Sequence, residues 1–174
     1  MQHHIAAVTT TVAGAQDGAV DARFADSENR HIQVQVGPAW VTCFDPQAIL
    51  SHMEGWNAAR DTLDWLPAEF DGRQGDPRMI GSAIIRARGP VRPAIYEARD
   101  DNAPYVEVRV GTLRTRAYDQ AAVTSIADTW NRAASLAMAL WRPRADMIDS
   151  PAVAEMIHRT GTKAIRHRGL PPKA

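Results

Sequence analysis

The stretch IQVQVGPAWVTCFDPQAILSHMEGWNAARDTLDWLP, residues 32–67, decides the fold because it returns 74 residues later. At that offset it lies without a gap on VEVRVGTLRTRAYDQAAVTSIADTWNRAASLAMALW, residues 106–141, and ten of the 36 positions are identical. The identities include Gly37/Gly111, Asp45/Asp119, Ser51/Ser125, Trp56/Trp130 and Asn57/Asn131. Similarity at a fixed offset is the mark of a duplicated structural unit.

Within the stretch, His31–Val36 alternates apolar and polar, the period-2 pattern of a half-buried strand. Gly37-Pro38 turns it into a partner strand, Ala39–Phe44. Asp45-Pro46 is a helix start, with a capping carboxylate and a proline whose missing N–H costs nothing there. Ile49, Met53, Trp56, Leu63 and Leu66 mark one face of a helix over 46–66, closed by Pro67. The later copy repeats this: strands Tyr105–Val110 and Leu113–Tyr118, then a helix over 120–141 starting at Asp119. Working outward, Ile5–Val12 and Val20–Ala25 precede the first stretch, and Ile80–Arg88 and Ala94–Ala98 precede the second. The expectation is an α+β protein of two pseudo-symmetric ββββα repeats. Each antiparallel sheet is covered by one long helix, since one sheet face must be buried. The units are 1–67, a Gly/Pro/Asp-rich linker 68–77, 78–142, and a basic tail 143–174. In the tail, Ser150-Pro151 starts a short helix over Ala152–Arg159 that Gly161 closes. The basic run Lys163–Arg168 reads either as a docking arm or as an arm on nucleic acid.

Two ββββα units in one chain resemble the PUR-repeat domain and the plant Whirly proteins. The resemblance is one of topology, covers about residues 4–142, and carries over no individual residue. It implies single-stranded DNA or RNA on a sheet surface and assembly into dimers or larger oligomers.

Composition narrows the classes. The chain has 174 residues, 45% hydrophobic and 23% charged, which suits a globular protein able to build its own core. No apolar run approaches membrane-spanning length and no signal peptide opens the chain, so a cytoplasmic, bacterial-type protein without a membrane partner is expected. Cys43 is the only cysteine, which excludes a disulfide framework and a cysteine-based zinc site. Net charge is zero but uneven: residues 1–74 carry ten acids and four bases, whereas 75–142 carry seven acids and ten bases. Eighteen of the twenty bases are arginine, a bias that genome composition also produces.

Strand parity then proposes surfaces. With Leu113, Thr115 and Ala117 inward, Arg114, Arg116 and Tyr118 face outward, and Tyr105, Glu107 and Arg109 do so on the neighbouring strand. Arg86 and Arg88 share one face of the first strand of that half. The expected site is therefore an arginine patch of Arg86, Arg88, Arg109, Arg114 and Arg116 beside Tyr105 and Tyr118, the pairing a single-strand platform needs. A solvated sheet face would carry the same charges. The matching face of the first half shows His31, Gln33, Gln35, Trp40, Thr42 and Phe44, and Trp40 with Phe44 reads as an oligomer interface, most simply of a homodimer.

Chemistry is thin. Asp45 and Asp119 are helix caps, no phosphate loop or nucleophile elbow is present, and His3, His4 and His31 make a weak metal cluster. The mid-helix asparagines call for a hydrogen bond to backbone or to the other helix. No catalytic residue, cofactor or metal is expected. The function expected is non-enzymatic binding of single-stranded nucleic acid; the alternative is a protein-interaction adaptor or chaperone-like scaffold of a bacterial or mobile-element system.

Overall fold

A computed structural model describes residues 7–25, 27–70, 83–100 and 103–141, and the backbone of 165–168. The first half forms β1 (Val8–Val12), β2 (Val20–Arg23), β3 (His31–Val36), β4 (Ala39–Cys43) and α1 (Pro46–Arg60). The second forms β5 (Ala83–Ala87), β6 (Ala94–Arg99), β7 (Pro104–Val110), β8 (Leu113–Ala117) and α2 (Gln120–Leu140). β9 (Ile165–Arg168) follows, so part of the basic tail run is a strand; the helix expected at 152–159 lies outside the described residues. The architecture is α+β.

The hairpins follow the alternation. β3 pairs antiparallel with β4, and β7 with β8, each turned at a glycine in the left-handed region, Gly37 at φ 52° and Gly111 at φ 60°. The sheets, however, are mixed rather than antiparallel. One runs β1-β8-β7-β6-β9 and the other β2-β3-β4-β5. The first strand of each half lies in the sheet of the other half, β1 parallel to β8 and β5 parallel to β4. Helices cross over as well: α1 packs mainly on β6 and β7, and α2 on β2 and β3.

Side chains at the helix starts hold this exchange. Asp45 caps α1 through Ala48 N at 2.8 Å, and its other oxygen accepts from Gly89 N, just past β5, at 2.7 Å. Asp119 caps α2 through Ala122 N at 2.7 Å and accepts from Gly14 N, just past β1, at 2.6 Å. One turn further on, Ser51 accepts from Val91 N and Ser125 from Gln16 N, both at 2.9 Å. Each aspartate thus caps a helix, worth about 1 kcal/mol, and also pins the visiting strand.

α1 and α2 lie side by side, joined by reciprocal amide bonds: Asn57 Nδ2 donates to Asn131 Oδ1 at 3.0 Å and Asn131 Nδ2 to Asn57 Oδ1 at 3.1 Å. The expected contact to the other helix is therefore made by the two asparagines with each other. α1 ends at Arg60, short of 66, because Asp61 and Thr62 turn the chain; Thr62 Oγ1 donates to Ala59 O at 2.6 Å, and a short 3-10 turn covers Leu63–Trp65. One core draws on both sheets and both helices, with Ile32, Val34 and Val36 on one side, Val106 and Val108 on the other, and Trp56 and Trp130 between. Among the described residues no helix is long and apolar enough to cross a membrane.

Candidate functional site

The expected arginine patch is split between the two sheets. Arg86 and Arg88 do share a face, but β5 carries them into the sheet of β4, where Arg86 stands opposite Thr42. The Arg88 guanidinium lies 4.8 Å from the Phe44 ring centroid. Parity assigns the face of a strand but not its neighbour, so the exchange of β5 moves both arginines to the face of Trp40 and Phe44.

Arg109, Arg114 and Arg116 stay together on β7 and β8, on the face turned from the helices. The two tyrosines expected beside them are closed to stacking. Tyr105 and Tyr118 are 2% and 7% exposed. Their rings lie 5.5 Å apart, and Phe70 packs on Tyr118 at 5.2 Å. The Tyr118 hydroxyl donates to Asp100, and burial, then this carboxylate, push its pKa up. Burial also raises that of Tyr105.

Glu107, fully buried, is the centre of this face. It accepts from Arg109 Nε at 2.5 Å and from Arg116 Nε at 2.7 Å. Each guanidinium also lies on a ring, Arg109 on Tyr96 at 4.5 Å and Arg116 on Tyr105 at 4.9 Å. Strand parity had placed Glu107 outward without disclosing that it ties two of the arginines.

The open aromatic face is on the β2-β3-β4-β5 sheet. A row of rings crosses it: Phe24 to His31 at 5.7 Å, His31 to Phe44 at 5.3 Å, then Arg88. A parallel row at the other end holds Gln35, Trp40 and Ile84, in register. Phe24 is 68% and Ile84 72% exposed, unusual for large apolar side chains. Neither was singled out by the sequence. The available signal was Ile84 itself, an apolar residue at the same parity as Arg86.

His52 and Cys43 lie in the interior. His52 is buried in α1 and stacks on Trp130, centroids 4.2 Å apart and 6° from parallel; burial lowers its pKa to about 3. Cys43 is buried, and burial followed by the Asp45 charge raises its thiol pKa. His3 and His4 lie outside the described residues, and among those described no group of three or more His, Cys, Asp or Glu side chains is placed to hold a metal ion. Comparison with protein-family models, curated proteins and solved structures finds no match to this chain.

Proposed function

We propose that the chain is a non-enzymatic protein that binds single-stranded nucleic acid on the open face of its β2-β3-β4-β5 sheet. The observation that carries this reading is the row Phe24–His31–Phe44 ending at Arg88, with exposed Arg86 beside it. Bases stack on exposed rings without regard to sequence, and arginines at the margin take phosphates. Among the described residues no carboxylate pairs with Arg86 or Arg88. The same reading takes the halves as copies of one ββββα unit about an internal twofold axis at the Asn57–Asn131 pair, the plan that resembles PUR-repeat and Whirly proteins. The 74-residue offset and the matching anchors Asp45–Gly89 and Asp119–Gly14 support it.

Fluorescence anisotropy with a labelled single strand tests the function. Binding should weaken with salt, and Arg86→Ala with Arg88→Ala should reduce the log–log slope by about 1.4, at roughly 0.7 per phosphate. No binding by the wild type at low salt ends the reading. The exposure of Phe24 and Ile84 favours one second reading, a protein contact on the same face, either of an adaptor or of a homodimer through Trp40 and Phe44. Sedimentation separates these: a wild-type dimer that Trp40→Glu makes monomeric supports the homodimer, and a wild-type monomer removes it.

A further inference from the structure

The face of β7 and β8 holds an arrangement that neither folding nor the aromatic face accounts for. Arg109 and Arg114 stand directly opposite each other on antiparallel strands, where like charges are unfavourable. Arg116 is two residues further along β8. Glu107 is the one carboxylate that pairs with any of the three among the described residues. These four side chains alone carry three positive charges and one negative.

The geometry is that of a receptor rather than of a closed ion-pair cluster. Arg109 and Arg116 each give only Nε to Glu107, where a fork would also use a terminal nitrogen. The Arg109 and Arg116 guanidiniums lie over the Tyr96 and Tyr105 rings. Their terminal nitrogens make no hydrogen bond to a described residue. The side chains of Arg109 and Arg116 are 15% and 34% exposed. Arg114, half-buried and opposite Thr9 of β1, has no carboxylate partner among the described residues. Glu107 therefore fixes two guanidiniums through their Nε atoms and Arg114 supplies a third charge.

We propose that Arg109, Arg114 and Arg116, set by Glu107, form a binding site for a dianionic phosphate monoester group. The net positive charge of these four side chains matches a dianion better than the single charge of a phosphodiester, and guanidinium forks match phosphate oxygens. Glu107 acts as a positioning residue and repels a second anion. The site is separate from the aromatic face and does not rest on the nucleic-acid reading. Inorganic phosphate and the terminal phosphate of a strand share this chemistry.

The test is titration of the full chain with methyl phosphate, dimethyl phosphate and sulfate, followed at the Arg Nε–H signals by NMR. Methyl phosphate should shift the signals of Arg109 and Arg116, with dimethyl phosphate at least about tenfold weaker. Methyl phosphate affinity should fall about tenfold from pH 7.5 to pH 5, because the dianion takes up a proton near pH 6 and becomes a monoanion, whereas sulfate affinity should hold. Arg114→Gln, at a partly exposed position without a carboxylate partner among the described residues, should weaken methyl phosphate about tenfold without lowering the thermal midpoint. Equal binding of mono- and diester, no shift at about 20 mM methyl phosphate, or an unaffected Arg114→Gln protein overturns the proposal. In the Arg86→Ala/Arg88→Ala background, a 5′-phosphorylated tetranucleotide that binds more tightly than inorganic phosphate supports the site with a strand end as the source. Equal affinity supports it with phosphate alone as the source.

Discussion

His52 lies against Trp130 with its Nδ1 buried and unpartnered, so its imidazole is held neutral. Burial sets the folded pKa near 3 against an ordinary value of 6.5. Below pH 6.5 the unfolded chain takes up a proton that the folded chain refuses, so stability falls as pH drops from 6.5 toward 3. At pH 5 the loss relative to pH 8 is about 2 kcal/mol from this group. His52→Leu should remove that part of the acid sensitivity, read as the difference in urea midpoints between the two proteins at pH 8 and pH 5. Equal pH dependence would contradict it. Residue roles were unevenly legible. The Asp45 and Asp119 caps and the need of Asn57 and Asn131 for partners followed from residue type and position. Glu107 was placed on the correct face, but its two arginines come from the same strand and the next one, and only the side-chain geometry discloses that both turn to it.

Elements were legible where a local pattern sets them. Periodicity located eight strands and two helices because burial on one face imposes a period of 2 or 3.6. The partners of β1 and β5 were not legible. VTTTV and AIIRA have the same inward and outward sets in either sheet, and what assigns them is a bond made at a distance, from Asp119 to Gly14 and from Asp45 to Gly89. That error split the candidate arginine patch. It also supplies a prediction. Asp119 is 1% exposed and accepts from Ala122 N, Gly14 N and Phe70 N, so Asp119→Ala strands three donors; the cost should be about 2–3 kcal/mol. Asp45 accepts from two of the described N–H groups and is half-buried, so Asp45→Ala should cost less. Chemical denaturation of both variants decides the order, and a larger loss at Asp45 would contradict the account.

At the scale of the molecule, two exchanged strands and two crossed helices make each half complete the other. Residues 1–77 alone would leave β4 without β5, and α1 without β6 and β7. That fragment should be unfolded by circular dichroism and gain structure on mixing with 78–174; a fragment that folds alone would contradict the interlocking. The exchange also divides the surface into one face with exposed Phe24, half-buried His31 and Phe44 and the exposed Arg86 and Arg88, and one where Glu107 ties two arginines. The central claim is that the first face, and not the second, takes the bases of a single strand. Its most direct test is one labelled, unphosphorylated 20-nucleotide strand titrated at low salt into three proteins: wild type, Phe24→Ala/Phe44→Ala, and Arg114→Gln. Loss of two stacking rings should weaken binding by about 2–6 kcal/mol, at roughly 1–3 per stacked base, while Arg114→Gln should bind as the wild type does. The reverse order, with Arg114→Gln impaired and the ring variant unaffected, would contradict the account.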